Sequence, residues 1–257
     1  MSYLIQVKLP VRLVSKENQS NMKQQTIMYL LILITFVTGF RPDKSEIDGA
    51  WRRTDASGAA ILLTIADNYL MQTTYASDRF VATRGGAWQR SGDKLQLTIE
   101  FDTQDSSLVG QVETYTLTTQ KGQLTLTGPA GKQTLSRVEE PAQTALAGLW
   151  RITGRANESG QVTTMQRGAR KTIKLLTGSR FQWAAINPQT KQFMGTGGGT
   201  YRMEGDQYTE TIDFFSRDNS RVGRSLTFTA KLTGSDWQHT GKSSTGGPVN
   251  EVWSREQ

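Results

Sequence analysis

A segment of about 45 residues occurs twice in this chain, 113 positions apart and without a gap. Residues 85–128 align with residues 198–241, and 15 of the aligned positions are identical. Gly-Asp, Thr-Ile-x-Phe and Val-Gly recur in register, starting at Gly92, Thr98 and Val109 in the first copy. A match of this length indicates an internal duplication, so most of the chain must fold as two copies of one unit. Wherever the copies differ, one serves as a control for the other.

The duplication extends beyond this segment on both sides. Gly49-Ala50-Trp51 in the first copy corresponds to Gly148-Leu149-Trp150 in the second. We therefore expect one domain over residues 40–140 and another over residues 146–257, each of ordinary domain size with room for its own core. Residues 139–144 are the only stretch that suits a linker, and it is short.

The N-terminal segment has the pattern of a secretory signal. Lys23 precedes an apolar run of about 11 residues over 27–37, which is too short to span a bilayer comfortably. Small residues ending at Gly39 follow, at the spacing that a signal peptidase accepts. We interpret residues 1–39 as an upstream extension and a signal peptide that starts at Met22, with the mature protein exported to the periplasm or beyond. The alternative is an N-terminal anchor that is never cut; after cleavage, no stable membrane anchor is expected.

Composition excludes several classes of protein. There is no cysteine, so neither disulfides nor a lipid-modified cysteine can hold or anchor the chain. The net charge of +7 suggests a nucleic-acid partner at first. It divides unevenly, however: 11 basic and 13 acidic residues lie in 40–140, and 15 basic and nine acidic residues lie in 141–257. The arginines are dispersed rather than arranged with aromatic residues on one surface, so we expect no nucleic-acid binding.

Each copy divides into short segments rich in Thr, Tyr, Phe, Trp and Ile, separated by Gly, Asn, Asp or Pro. This pattern predicts an all-β protein of two tandem eight-stranded up-and-down antiparallel barrels, because closing a sheet removes its exposed edges. The glycine run 195–199 lies inside a predicted strand and no helix follows it, so we interpret it as a bend rather than a phosphate-binding loop. The predicted strands are 48–54, 60–66, 69–76, 79–90, 94–102, 110–119, 122–128 and 132–138, then 147–154, 171–177, 180–186, 192–203, 207–215, 224–233, 236–242 and 248–255.

The Gly-x-Trp that opens each copy is matched by an arginine that closes it, Arg137 in the first and Arg255 in the second. This pairing resembles the lipocalin or calycin superfamily, in which an arginine of the last strand lies across the tryptophan at the barrel base. The second copy, through residues 193–201, 213–218 and 251–255, is similar to small lipocalin-like proteins exported by Bacteroidota, and the likeness covers both copies. The resemblance implies the barrel fold, export, and binding of a small, mostly apolar molecule. The Trp–Arg pair is structural, since a guanidinium on an indole face is a cation–π contact.

Strand parity assigns the candidate site to the second copy. Side chains two residues apart share a face, which places Glu210 and His239 inside the barrel among aromatic rings. The matching positions of the first copy are Leu97 and Leu126. A few polar groups among apolar walls are typical of a ligand pocket, whereas the first barrel should be filled with aliphatic side chains. The candidate ligand-binding residues are Phe181, Trp183, Tyr201, Tyr208, Glu210, Trp237 and His239.

Three functions remain open on this basis. The first is an exported carrier of a small, mostly apolar ligand, and the second is an exported structural or protein-interaction module with an unknown protein partner. The third is an isomerase- or hydrolase-type enzyme that uses Glu210 and His239 as an acid–base pair. Alternatively, Glu210 and His239 pair with each other or with a nearby arginine, which satisfies an otherwise costly burial, or they lie near the rim in water. His239 is the only histidine; we expect no metal site or cofactor, although a single histidine leaves haem open.

Overall fold

The computed structural model describes residues 45–141, 144–157, 159 and 161–256. The predicted upstream extension and signal peptide, residues 1–39, lie outside the described residues. Within the described ranges, no helix is long and apolar enough to cross a membrane. The described residues from Ser45 onward belong to one compact unit, which contains both copies of the repeat.

The first copy forms a closed barrel of eight antiparallel strands in sequential order, here called barrel 1. One 3₁₀ turn, η1 (Ser106–Leu108), follows β5. Strand β8 returns to β1, where Arg137 is the register partner of Trp51. The predicted fold is therefore confirmed for this copy. The strands are β1 (Gly49–Thr54), β2 (Ala60–Ala66), β3 (Tyr69–Tyr75), β4 (Phe80–Ser91), β5 (Lys94–Asp102), β6 (Val112–Gln120), β7 (Gln123–Gly128) and β8 (Gly131–Arg137).

The second copy forms barrel 2, which is also closed by eight strands because β17 pairs with β9. A ninth strand, β10, pairs with the far end of β9 beyond the part that pairs with β11. Strand β10 was not predicted, because its three residues are all exposed and carry no apolar alternation. The elements are β9 (Gly148–Ala156), β10 (Val162–Thr164), β11 (Lys171–Leu176), β12 (Arg180–Asn187), β13 (Gln192–Glu204), β14 (Gln207–Phe215), η2 (Asn219–Arg221), β15 (Ser225–Thr233), β16 (Asp236–Lys242) and β17 (Pro248–Arg255).

The Trp–Arg pair closes the base of each barrel as predicted. The Arg137 guanidinium carbon lies 4.1 Å from the centroid of the Trp51 ring, and that of Arg255 lies 4.2 Å from Trp150. Each indole N–H donates to the carbonyl four residues earlier, at 2.8 and 2.7 Å. Gly148 has a φ of +128°, and a Cβ there would lie 2.0 Å from an Arg255 nitrogen. The glycine of the Gly-x-Trp motif is thus required both by its backbone and by the arginine beside it.

The glycine run of β13 bends the strand, as the sequence predicts. The register with β14 shifts between Gly198 and Gly199. A Cβ on Gly199 would lie 2.0 Å from the Thr211 carbonyl oxygen, so only glycine allows this approach. Barrel 1 has the same shift between Gly85 and Gly86. The bend is therefore an inherited feature of the repeat.

The outer walls of the two barrels share an apolar cluster, formed mainly by β2 and β3 on one side and β11 and β12 on the other. Beside it, Gln182 is fully buried and joins the barrels, accepting from the Thr73 hydroxyl at 2.8 Å and donating to Thr83 Oγ1 at 3.0 Å. The two barrels therefore pack directly against each other through buried side chains. The cluster comprises Ala66, Tyr69, Met71, Phe101, Leu149, Ile173, Leu175, Ala184 and Ile186, with Phe193 beside it.

Glu140 lies in the segment that the sequence suggested as a linker, and it connects the two barrels. One carboxylate oxygen accepts from the backbone N–H of Ala50 at 3.1 Å. The other accepts from the hydroxyl of Thr177 at 2.5 Å and from the backbone N–H of Ser179 at 2.9 Å. One side chain thus satisfies donors from both barrels, and the connection is anchored rather than loose.

Candidate functional site

A cavity of about 470 Å³ lies inside barrel 2. Four of the predicted site residues line it: Phe181, Trp183, Glu210 and His239. Three arginines, Arg155, Arg170 and Arg217, also line it. The mouth is therefore rich in positive charge, whereas aromatic and aliphatic side chains cover much of the wall.

The other three predicted residues, Tyr201, Tyr208 and Trp237, lie outside the cavity lining and pack beneath it. Their rings form a contact chain above the base of the barrel. The centroid of Tyr208 lies 5.4 Å from that of Tyr201 and 5.3 Å from that of Trp237, which contacts Trp150 at 5.7 Å. The Tyr201 hydroxyl donates to the Thr177 carbonyl at 2.5 Å. The structure brings these three residues together with the other four, but they form the floor under the cavity and do not line its wall.

The side chain of Lys174, which was not among the predicted residues, lies inside the barrel and lines the cavity. Its ammonium nitrogen donates to Glu210 Oε1 at 2.7 Å, and the Tyr208 hydroxyl donates to the same oxygen at 2.7 Å. The Lys174 and Glu210 side chains are only 4% and 8% exposed. Burial, followed by the charge of Glu210, raises the pKa of Tyr208 well above its ordinary value. Four rings lie 5.1 to 5.5 Å from the Lys174 nitrogen: Phe181, Tyr208, Trp237 and Trp253.

His239 packs among aromatic rings, and its two ring nitrogens make no hydrogen bond to a described residue. It is 3% exposed, and its ring centroid lies 4.1 Å from that of Phe228 and 5.0 Å from that of Trp237. Its Nδ1 is 3.7 Å from Glu251 Oε2, which is too long for a hydrogen bond. Neither ring nitrogen hydrogen-bonds to any described residue. Burial and the nearby Lys174 charge lower the pKa of His239, so the imidazole is neutral at pH 7.

Glu251 completes a polar layer with Lys174, Glu210 and His239. Burial opposes its ionisation, but His239, Lys174 and the indole N–H of Trp253 together lower the pKa of Glu251 below its ordinary value. The indole donates to its Oε2 at 3.1 Å. Glu251 is therefore ionised at neutral pH. We use the name polar layer for these four residues below.

The alternative in which Glu210 pairs with His239 or with an arginine is not what the structure shows. Glu210 pairs instead with Lys174, because β11 brings an ammonium group to the inner face of the barrel within 2.7 Å of it. His239 is nearer to the Glu251 carboxylate, through the pairing of β16 with β17. The Glu210–His239 acid–base pair is therefore not joined by a hydrogen bond in this structure. Among the described residues, no group of three or more His, Asp or Glu side chains could hold a metal ion.

Barrel 1 shows what the same positions contain without the polar layer. The repeat alignment and the strand registers match Lys174, Glu210, His239 and Glu251 to Leu63, Leu97, Leu126 and Gln133. The first three of these belong to the apolar core of barrel 1, together with the other predicted core residues Leu95, Ile99 and Leu124. The predicted packing of these aliphatic residues inside barrel 1 is therefore confirmed, and Trp51, Trp88 and Tyr115 pack with them.

Two further positions beside the polar layer also differ between the barrels. In barrel 1, Arg84 donates to Glu113 at 2.8 Å and lies 3.1 Å from Asp102. Barrel 2 has Gly197 and Leu226 at the positions of Arg84 and Glu113, and both line the cavity. Two smaller, uncharged residues thus replace an arginine and a glutamate, which leaves room inside barrel 2.

In comparisons with known proteins, no family model matches the chain and no curated protein matches it in sequence. The function must therefore be inferred from the cavity of barrel 2 and from the differences between the two barrels. Both point to the same end of barrel 2, where the polar layer meets the cavity.

Proposed function

We propose that this protein is an exported, lipocalin-like carrier that binds a small, mostly apolar ligand in barrel 2. The single observation that carries the proposal is the cavity of about 470 Å³, which lies within the range of small-molecule sites, roughly 300 to 1,000 Å³. Its lining combines apolar walls with a few convergent polar groups, which is the usual composition of such sites.

The two barrels strengthen this assignment because they share ancestry and fold. The residues that border the cavity differ from those at the same positions of barrel 1 in two groups: the polar layer, and Gly197 with Leu226 beside it. The base, with its Trp–Arg pair, is the same in both barrels. The two barrels therefore differ in sequence where a ligand would contact barrel 2, and they are alike at the base, where the residues stabilise the fold.

A neutral apolar dye, N-phenyl-1-naphthylamine, tests the proposal in the full chain. We expect one saturable site per chain, with the dye emission rising as the dye leaves water. Exciting tryptophan should sensitise the dye, because Trp183 and Trp253 line the cavity. No saturable binding to the wild-type chain would show that the carrier proposal is wrong.

Two tryptophan substitutions at adjacent positions of β15 locate the site. Leu226 lines the cavity, whereas Ser225 is exposed on the outer face of the same strand. Leu226→Trp should therefore fill the cavity and weaken dye binding at least tenfold, or about 1.4 kcal/mol. Ser225→Trp adds the same ring outside and should leave the affinity within about twofold, or 0.4 kcal/mol. Equal effects of the two substitutions would place the dye elsewhere.

A further inference from the structure

We propose that the ligand enters with a neutral hydrogen-bonding group, such as a hydroxyl, at its inner end, and that this group pairs with His239. The proposal rests on the carrier function above and specifies the chemistry of the ligand. The ligand class is then an amphipathic molecule with an apolar body and an uncharged polar end, for example a long-chain or ring alcohol.

The first support is that His239 is buried and without a partner. An unsatisfied buried polar group costs about 1–3 kcal/mol, so a side chain in this state is favourable only where something else completes it. His239 lines the cavity, and neither of its nitrogens bonds to a described residue. Its ring packs against Phe228, Trp237 and Tyr208 at tilted or edge-on angles, and these contacts hold the ring without using either nitrogen as a hydrogen-bonding group.

The second support is the protonation state of this imidazole. A neutral imidazole has one N–H donor and one acceptor nitrogen. A hydroxyl can serve both, because it donates one hydrogen bond and accepts others. An ionised carboxylate can only accept, and an ammonium can only donate, so each would leave one nitrogen of His239 unsatisfied.

The third support is the charge of the polar layer. The ammonium of Lys174 is already neutralised by Glu210, and Glu251 carries a further negative charge close to His239. Arg155 Nη2 lies 3.9 Å from Glu251 Oε1, so with the imidazole neutral the charges in and beside the layer balance, and a charged ligand end would be buried without a counter-ion. The arginines Arg155, Arg170 and Arg217 at the mouth disfavour entry of a cation. A neutral end meets neither penalty.

Displacement of the naphthylamine dye by matched ten-carbon chains tests the proposal. At pH 7.5, 1-decanol, decanoate and decylammonium differ only in their polar end. We expect decanol to displace the dye at concentrations about tenfold lower than either ion, because burying an unpaired charge costs more than burying a hydroxyl that is hydrogen-bonded. Equal displacement by all three, or stronger displacement by an ion, would overturn the proposal while leaving the carrier function intact. If the dye itself does not bind, the carrier function fails first.

His239 provides a second readout because it is the only histidine in the chain. In protein carrying ¹⁵N-histidine and no affinity tag with histidines, the imidazole nitrogens should shift when decanol saturates the site. They should shift much less on dye binding. Nitrogen signals that do not move with saturating decanol would contradict the proposed contact.

Two substitutions separate hydrogen bonding from packing. His239→Leu should weaken decanol binding about five- to tenfold, the effect of one lost hydrogen bond. The same variant should change dye affinity by less than threefold. His239→Gln keeps a donor and an acceptor and should retain the preference for decanol over decanoate. If His239→Leu weakened the binding of dye, decanol and decanoate equally, and His239→Gln did not keep the preference for decanol, His239 would act only through packing.

Discussion

The pair of Lys174 and Glu210 gives the sharpest test of how barrel 2 is built. Both side chains are buried, and the 2.7 Å contact between them is the main neutralisation that either charge receives. Replacing Lys174 with Met leaves the Glu210 carboxylate with the hydroxyl of Tyr208 as its remaining donor. Removing one partner of a buried ion pair costs about 3–5 kcal/mol. We expect a loss of this size in the free energy of unfolding for Lys174→Met and for Glu210→Leu.

The double variant should behave very differently. Lys174→Met with Glu210→Leu imitates barrel 1, where Leu63 and Leu97 occupy these positions. Replacing a buried ion pair by apolar side chains is often neutral or stabilising by 1–4 kcal/mol, whereas a Tyr208 hydroxyl without its acceptor costs about 1–3 kcal/mol. We therefore expect the double variant to lie within about 2 kcal/mol of the wild type. The two single losses together should exceed the double loss by about 4 kcal/mol or more.

Urea unfolding, followed by far-ultraviolet circular dichroism and tryptophan fluorescence, measures these differences as changes in midpoint at constant slope. Asp78 and Arg79 provide a matched control, because their side chains are 71% and 60% exposed and 3.2 Å apart. Arg79→Ala should change stability by less than about 1 kcal/mol, as is usual for exposed ion pairs. Single losses below 1 kcal/mol in the barrel, or a double loss equal to their sum, would refute the buried, coupled pair.

Three further outcomes follow from the structure. Trp51→Ala and Trp150→Ala should each lower the free energy of unfolding by about 3–5 kcal/mol in denaturant melts, because each indole fills the base of its barrel. Arg255→Ala should lower it by only about 1–2 kcal/mol, the value of the cation–π contact. Equal, negligible losses would contradict this. The pKa of His239 in the folded protein lies below its ordinary value of 6.5, so the unfolded chain binds a proton at a higher pH than the folded protein does. The free energy of unfolding should therefore fall as the pH drops below about 6.5, by at most about 1.4 kcal/mol per pH unit. His239→Leu should flatten that slope in urea melts at pH 5 to 7 and should also weaken the decline at lower pH, because His239 contributes to the lowered pKa of Glu251. Glu140→Ala should cost about 2 kcal/mol or more, because it removes hydrogen bonds to a charged group from both barrels; an unchanged urea midpoint would show that the segment is a plain linker.

The strands could be predicted from sequence because two signals agreed. Alternation of apolar residues and the turn residues between segments set each strand in one copy, and the other copy repeated the pattern. Strand β10 had neither signal and was missed. Parity likewise placed Phe181, Trp183, Glu210 and His239 on the correct, inner face. Parity does not give depth along the barrel, so the floor residues could not be separated from the wall.

Lys174 was missed for a physical reason. In β11 the apolar residues Ile173 and Leu175 alternate with Lys174, and an isolated barrel would turn the apolar face inward. Here those two residues pack against barrel 1, so the outer face of the strand is buried as well. The polar lysine is then left on the inner face. Glu251, in contrast, could have been found, because it lies two residues from the buried Trp253 on the same strand.

The polar layer lowers the stability of barrel 2, and the fold does not require it. Barrel 1 closes and packs with leucine at three of the four positions, so an eight-stranded barrel of this sequence type needs no buried lysine, glutamate or histidine there. Desolvating two charges is favourable only with good geometry and full hydrogen bonding, and neither ring nitrogen of His239 in this layer hydrogen-bonds to a described residue. A packed apolar layer would be at least as stable. The layer also borders the cavity, and the aromatic floor below it is sealed by Trp150 and Arg255. A group that reaches the layer must therefore come through the mouth, which is why we assign the unsatisfied edge of His239 to a ligand and not to folding.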